Sequence, residues 1–157
     1  MGEGSIFSFN IPFNITNPEI KTVDGSDRKN KLVLQKQVTI LITEDVDNNY
    51  LLLEQYFSGA NIDVVRAANG SEAVEICEKN QSIGLVLMDL KMPVMDGFEA
   101  TKRIKKLRPD LTVVAQTAYA RDNDREKALE CGCSDFISKP YKKETLLSLI
   151  RKYLVMD

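Results

Sequence analysis

The fold of this chain is decided by residues 85–97, which read Leu-Val-Leu-Met-Asp-Leu-Lys-Met-Pro-Val-Met-Asp-Gly. Four apolar residues are closed by Asp89, and a proline and a glycine follow shortly afterwards. A short apolar run that ends in an acid and then in turn residues is typical of a buried strand that leads into a loop. Because open α/β sheets bind ligands at the carboxyl ends of their parallel strands, Asp89 is a candidate site residue.

Three other apolar runs also deliver polar residues at their carboxyl ends: residues 38–43 are followed by Glu44 and Asp45, residues 113–116 by Thr117, and residues 136–138 by Lys139. Helix-like patterns separate the runs, so that five strand–helix units are predicted, which implies a parallel sheet covered by helices on both faces. The polar residues converge only if the first strand lies beside the third. This convergence selects the flavodoxin-like, doubly wound α/β order 2-1-3-4-5.

The helical patterns also predict caps and buried stripes. Residues 47–49 form a polar cluster suited to capping the first helix, whose apolar stripe contains Leu52 and Leu53. Asn69 is expected to open the second helix, and Leu107 is expected on the apolar stripe of the third.

Composition excludes several functional classes. The 157 residues carry a formal net charge of −2, which argues against a nucleic-acid surface. No run approaches the ~18–20 apolar residues of a membrane span, and the first residues lack the features of a signal peptide. The three cysteines form no CxxC pair and are read as reduced thiols. We therefore expect no membrane contact by this chain and a cytoplasmic location.

The chain contains no histidine. A Ser-His-Asp or Cys-His nucleophile and the histidine-containing zinc sites are therefore excluded. If phosphoryl groups reach this chain through a phosphohistidine, that histidine belongs to another domain or another chain.

The predicted crevice would collect the carboxylates of Glu44, Asp45 and Asp89. Two unit charges ~4 Å apart repel by about 4 kcal/mol at an effective dielectric constant of ~20, so the cluster favours a bound cation. Oxygen ligands without histidine or thiolate favour Mg²⁺. With a lysine charge from Lys139 and a hydroxyl from Thr117, the set suits phosphoryl transfer to Asp89. The alternative is structural: Asp89 caps a turn and Lys139 pairs with it.

Residues 37–157 resemble the response-regulator receiver domain. The resemblance is carried by Glu44-Asp45, Asp89 with Met92-Pro93-Val94-Met95-Asp96-Gly97, Thr117-Ala118, and Lys139-Pro140. It implies that Asp89 accepts a phosphoryl group from a phosphohistidine and that Thr117 and Lys139 contact the phosphoryl oxygens. It implies a Mg²⁺ ligand set of Asp45, Asp89 and the backbone carbonyl of Lys91, with Glu44 acting directly or through water.

The resemblance also implies a switch. Phe136 stands at the family's switch aromatic, three residues before Lys139, and Thr117 and Tyr119 complete the expected switch set. Phosphorylation is expected to draw Thr117 towards the phosphoryl group and to turn Phe136 inward. The face made by the fourth helix, the fifth strand and the fifth helix is expected to change, and it is a possible dimer contact.

Residues 1–13 alternate apolar and polar positions after Gly2-Glu3-Gly4, and they resemble the terminal strand of a histidine-kinase ATPase domain. Residues 14–36 are polar and are interpreted as a linker. Kinase, linker and receiver form the layout of a hybrid histidine kinase. The expected partners are the phosphodonor domain of that parent kinase and a histidine phosphotransfer protein.

Several alternatives stay open. Residues 1–13 are otherwise a disordered tail or tag, and the chain is then a stand-alone response regulator. A docking module that is never phosphorylated is a second alternative. A phosphoaspartate hydrolase is disfavoured, because it needs an aspartate two residues past the nucleophile, where this chain has Lys91.

Overall fold

Five strands and five helices alternate along residues 37–118 and 122–154, which are the residues that this computed structural model describes. In chain order they are β1 (Val38–Thr43), α1 (Asp47–Phe57), β2 (Ile62–Ala67), α2 (Gly70–Lys79), β3 (Ile83–Asp89), α3 (Gly97–Leu107), β4 (Thr112–Thr117), α4 (Asp122–Glu130), β5 (Asp135–Ser138) and α5 (Lys143–Leu154). The predicted strand at residues 1–13, the linker at 14–36 and Tyr119 lie outside the described residues.

The five strands form one sheet of order β2-β1-β3-β4-β5, and every pair of neighbours is parallel. The flavodoxin-like prediction is therefore confirmed. In register, Thr43 lies beside Met88, Asp89 beside Gln116, and Thr117 beside Ser138. The carboxyl ends of β1, β3, β4 and β5 consequently meet at one edge of the sheet.

Two hydrophobic clusters fill the two sides of the sheet. Successive residues of a strand point to opposite faces. Val86 and Met88 accordingly belong to the cluster that contains residues of α2, α3 and α4, while Leu85 and Leu87 belong to the cluster of α1 and α5. All four have no exposed surface. Burial on both faces explains why residues 85–88 are continuously apolar rather than alternating.

The start of α1 differs from the sequence prediction. Its N-cap position is Val46, which makes no side-chain capping hydrogen bond, so the predicted cap at residues 47–49 is wrong. Asp47 pairs instead with Arg66. Leu53 is buried, but Leu52 is 47% exposed and does not belong to the core stripe. Leu53 and Phe57 are four residues apart and therefore lie on the same face of the helix, which is the buried face. Leu52 lies on a different face.

The predicted cap of α2 is confirmed, because the Asn69 side chain accepts a hydrogen bond from the backbone N–H of Glu72. Asp96 caps α3 in the same way through the N–H of Glu99. Leu107, at the last turn of α3, is 48% exposed, which corrects its assignment to the apolar stripe. Among the described helices, none combines the length and apolar character that a membrane crossing requires.

Candidate functional site

The polar residues predicted from the strand ends lie together at the carboxyl edge of the sheet. Glu44, Asp45 and Asp89 each offer a carboxylate oxygen, and these atoms lie within 4.8 Å of one another. The Lys139 Nζ atom lies 2.6 Å from Glu44 Oε2 and 2.5 Å from Asp89 Oδ2. Thr117 ends the neighbouring strand β4, is 3% exposed, and accepts the backbone N–H of Lys139 on its carbonyl oxygen at 2.7 Å.

Asp89 is held through both of its carboxylate oxygens. Oδ1 accepts the backbone N–H of Lys91 at 2.9 Å, and Oδ2 accepts from Lys139. The residue is only 8% exposed, so these two bonds largely fix its side chain. The contact is made by the Lys91 N–H, and the metal-ligand role of the Lys91 carbonyl oxygen stays a prediction.

Glu44 has no exposed surface, which is unusual for a carboxylate without partners. Its two oxygens are satisfied, because Oε1 accepts from Asn49 Nδ2 at 2.9 Å and Oε2 from Lys139. Sequence reasoning assigned Asn49 to a helix cap and missed this role. Asp45, in contrast, is exposed at the rim of the crevice.

Arg66 is a second residue that sequence reasoning missed. Its Nη2 atom donates to Asp47 Oδ1 at 2.6 Å and to the Glu44 carbonyl oxygen at 3.4 Å. Its guanidinium also lies 4.7 Å from the centre of the Tyr50 ring. Arg66 therefore fixes the loop that carries the acidic pair. No motif indicated this, since the contact joins β2 to the β1–α1 loop.

The charges of the site do not balance. Burial by itself would lower the pKa of Lys139, but its hydrogen bonds to Asp89 and Glu44 outweigh burial and leave that pKa above its ordinary value. Lys139 is therefore a cation at neutral pH. Three acidic side chains, Glu44, Asp45 and Asp89, face one ammonium group, which is a formal excess of two negative charges. A divalent cation would neutralise that excess, so the donor set fits Mg²⁺.

Gly97 allows the loop after β3 to close against Asp89. Its N–H donates to the Leu90 carbonyl at 3.1 Å. A Cβ atom at this position would lie 2.2 Å from the Asp89 carbonyl oxygen and 2.8 Å from the Leu90 Cα atom, both of which are backbone atoms. Any larger residue would therefore displace the backbone of Asp89.

The structure describes two of the three predicted switch residues, Thr117 and Phe136. Phe136 is half-buried and packs against the cluster of α2, α3 and α4, with the Arg125 guanidinium 4.9 Å from its ring centre. Thr117 lies on the adjacent strand β4, in register beside Ser138. The part assigned to Tyr119 stays a prediction, as that residue is not described.

Known proteins match the part of the chain that carries these site residues. The family model described as "Response regulator receiver domain" matches residues 40–151. The sensor protein EvgS of Escherichia coli (strain K12) is 32% identical over 145 residues, which are 92% of this chain and 12% of EvgS. The polar-differentiation response regulator DivK of Brucella anthropi is 32% identical over 119 residues, covering 74% of this chain and 95% of DivK.

Two solved structures are similar in both fold and sequence. The receiver domain of the sensor histidine kinase PA1611 from Pseudomonas aeruginosa, which holds a magnesium ion in its active-site cleft, aligns with a TM-score of 0.71 and 30% identity, over 76% of this chain and 98% of that one. A chain from the Saccharomyces cerevisiae complex of the histidine phosphotransfer protein Ypd1 with the Ssk1 receiver domain aligns with a TM-score of 0.72 and 31% identity, over 77% of this chain and 91% of that one.

The chain spans about an eighth of the length of EvgS, so the similarity concerns one domain of that relative. DivK, in contrast, is covered almost completely by the alignment with this chain. The family model covers most of the chain and includes every residue of the acidic crevice. This chain belongs to the response regulator receiver domain family and is a receiver of two-component phosphorelay signalling.

Proposed function

We propose that Asp89 accepts a phosphoryl group from a phosphohistidine outside this chain. The observation that carries the proposal is the contact of Lys139 Nζ with Asp89 Oδ2 at 2.5 Å, inside a cluster of three carboxylates. In the transfer, an Asp89 carboxylate oxygen forms a bond to phosphorus as the bond from the histidine nitrogen to phosphorus breaks. The nitrogen keeps the electron pair of the broken bond.

Mg²⁺ is part of the proposal. Glu44, Asp45, Asp89 and the backbone carbonyl of Lys91 would hold it, and its charge would offset the negative charge that the phosphoryl group brings. Two side chains of the protein itself would bind the phosphoryl oxygens. Lys139 already has its ammonium group on the carboxylate that would attack phosphorus and would bind a phosphoryl oxygen, while Thr117, at the end of β4, would donate its hydroxyl to another.

The approach to the site supports a protein donor. Val46 at the N-cap of α1 is 46% exposed, Leu52 in the middle of α1 is 47% exposed, and Val94 in the β3–α3 loop is 87% exposed. Leu52 lines a cavity that also reaches Glu44 and Lys139, Val46 lies two residues after Glu44, and Val94 lies five residues after Asp89 in the loop that follows β3. Exposed apolar side chains around a charged site favour docking of an apolar protein surface, such as that of a phosphohistidine-bearing domain.

The parent protein is proposed to be a hybrid histidine kinase, which would charge its own receiver or that of a dimer partner. The resemblance of residues 1–13 to a kinase strand supports this origin, as does the match to a sensor protein over 92% of the chain. A histidine phosphotransfer protein is the proposed acceptor of the group. A cytoplasmic location completes the proposal, and the free thiols of Cys77, Cys131 and Cys133 support a reducing compartment.

Phosphorylation is proposed to act through Thr117 and Phe136. Movement of Thr117 towards the phosphoryl group would vacate space beside β5, and the Phe136 ring would turn into it. Arg125 covers that ring and would have to move. A charged group can bias such a two-state element by a few kcal/mol, roughly the amount that exchanges major and minor populations.

The test of phosphoacceptance uses the full chain, acetyl phosphate and Mg²⁺, with labelling followed by intact mass. One phosphoryl group should be added to the wild type, and Asp89→Asn should receive none. Asp135→Asn is the matched control, because Asp135 is a carboxylate of β5 whose partners Lys152 and Tyr153 lie on α5. Equal labelling of the Asp89→Asn variant would overturn Asp89 as the acceptor, and labelling that persists in excess chelator would overturn the role of Mg²⁺. No labelling of the wild type would overturn the proposal in favour of a docking module.

The test of origin compares phosphodonors. The purified parent kinase with ATP should label Asp89 much faster than unrelated histidine kinases do. A parent that is no faster than unrelated kinases would leave the chain as a stand-alone receiver.

A further inference from the structure

Gln116 connects the chain segment that carries Asp89 to the segment that carries Lys139. Its backbone carbonyl accepts the N–H of Leu90, the residue after Asp89, at 3.1 Å. Its side-chain Oε1 accepts a hydrogen bond from the hydroxyl of Tyr141, two residues beyond Lys139. The chain around Asp89 and the chain around Lys139 are thus held to the same residue of β4.

Stability alone does not account for a glutamine at this place. Gln116 has no exposed surface, and its Nε2 atom lacks a hydrogen-bond partner among the residues that the structure describes. A buried amide that is only partly satisfied destabilises a core relative to an apolar residue of similar size. The preceding residues of the strand, Val114 and Ala115, are apolar and fully buried. The polar side chain at position 116 therefore points to a role other than packing.

The Tyr141 hydroxyl is a hydrogen-bond donor in the folded chain. Its ring packs against the hydrophobic cluster of α1 and α5 and lines a cavity that also reaches Glu44 and Lys139. Burial is the main cause that raises the pKa of its phenol, and the nearby Glu44 and Asp89 charges act in the same direction. The hydroxyl consequently stays protonated and donates to Gln116 throughout the physiological range.

The segment between Lys139 and α5 needs such an anchor. The Lys139 N–H still bonds to the Thr117 carbonyl at 2.7 Å, but the chain then leaves the sheet, and α5 begins only at Lys143. Lys139 Nζ must nevertheless reach two carboxylates at 2.5 and 2.6 Å. A misplacement of about 1 Å in a reacting site lowers rates by up to roughly a hundredfold.

We propose that Tyr141 is a positioning residue, whose hydroxyl, held by Gln116, fixes the place at which Lys139 meets the phosphoryl group on Asp89. The inference rests on the proposed phosphoacceptor function. It predicts that Tyr141 acts on the rate of phosphorylation through Lys139 without changing the Mg²⁺ concentration for half-maximal rate.

The experiment compares Tyr141→Phe with Tyr153→Phe in the full chain. Both changes remove one phenolic hydroxyl, but the Tyr153 hydroxyl donates to the Ser134 carbonyl and to Asp135, at the amino end of β5 and away from the carboxyl edge where Asp89 lies. With acetyl phosphate, Tyr141→Phe should slow labelling of Asp89 about fivefold, the rate equivalent of one hydrogen bond of ordinary net strength. The Mg²⁺ concentration for half-maximal rate should not change. Tyr153→Phe should label at the wild-type rate.

A second background separates positioning from a general structural effect. In a Lys139→Ala chain, Tyr141→Phe should cause no further slowing, because the group that it positions is gone. Gln116→Leu should slow labelling as Tyr141→Phe does, and the double variant should be no slower than either. Wild-type labelling by Tyr141→Phe, or the same loss with and without Lys139, would overturn the inference.

A spectroscopic readout keeps the inference independent of phosphorylation. Amide spectra of Tyr141→Phe should show shifts at Lys139 and at Leu90, which the Gln116 contacts connect. Unchanged amides at both positions would refute the positioning role, even if the wild type proved never to be phosphorylated. Failure of wild-type labelling alone would refute the proposed function instead.

Discussion

Removal of the Lys139 charge is the most informative perturbation of the site. Lys139→Met keeps the length of the side chain but deletes the ammonium group that lies between Glu44 and Asp89. The two carboxylates would then face each other and Asp45 without a compensating cation. Both are nearly inaccessible to solvent, with side-chain exposures of 1% and 12%. Water can therefore screen them only weakly.

The expected loss follows from this burial. Removing one partner of a fully buried ion pair costs about 3–5 kcal/mol. The Lys139 side chain keeps 22% of its surface, so solvent reduces the effect, and we expect a loss of roughly 2–3 kcal/mol in the free energy of unfolding without Mg²⁺. Added Mg²⁺ should stabilise the variant more than the wild type, because it neutralises carboxylates that Lys139 otherwise neutralises.

The assay is urea unfolding followed by far-ultraviolet circular dichroism, since the chain has no tryptophan. Lys152→Met is the matched control: Lys152 pairs with Asp135 at 3.0 Å, but its side chain is 63% exposed. Such a surface pair contributes about 0–1 kcal/mol. Equal losses from the two variants in chelator would refute the reasoning that burial makes the Lys139 contacts strong.

The contribution of Lys139 to the free energy of unfolding should fall as the pH becomes strongly basic. The pKa of Lys139 in the folded chain lies above its ordinary value of 10.5, because the bonds to Asp89 and Glu44 outweigh the opposing effect of burial. Its contribution is therefore fully present below the pKa of the unfolded chain and is lost as pH rises through the folded pKa. The stability difference between wild type and Lys139→Met should accordingly stay constant from pH 7 to about 9.

Three further predictions concern other parts of the fold. Gly97→Ala should destabilise the chain by roughly 2 kcal/mol or more and slow labelling of Asp89, because the new Cβ meets backbone at 2.2 Å; urea unfolding and mass spectrometry check both effects. Asn69→Ala should cost about 1 kcal/mol in urea unfolding through loss of the α2 cap. Burial raises the pKa of the Cys77 and Cys133 thiols to about 11, so at pH 8 a thiol reagent should modify them only after unfolding, whereas rapid modification in the folded chain would contradict that burial.

The alternation of strands and helices was predictable because it depends on strong sequence patterns, and the sheet order was selected by requiring the polar residues at the strand ends to converge. The apolar run before Asp89 marks a strand that is buried on both faces, and a polar residue after each of four strands identifies the edge where the site lies. These patterns can be read from a few consecutive residues and do not depend on which side chains pack against them in the fold.

The supporting contacts were not predictable in the same way. Arg66 and Tyr141 act on residues far from them in sequence, and neither stands in a pattern that distinguishes it from an ordinary surface or core residue. Asn49 was assigned to a helix cap because asparagine is common there, but a buried carboxylate competed for its side chain. Leu52 was misplaced because a short apolar stripe does not define which of two adjacent leucines faces the sheet.

The span of the site along the chain has a consequence for biosynthesis. The contact between Glu44 and Lys139 joins residues that are 95 positions apart, and β5 is the last strand of the sheet. During synthesis the carboxylates of β1 and β3 emerge first, and the ammonium group that sits between them emerges only with the end of β5. Contacts of such long range form late in folding, because the loop between the residues must close first. A ribosome-bound chain that lacks β5 therefore has three carboxylates without their ammonium partner, and the site is complete only after the residues that follow β5 have emerged.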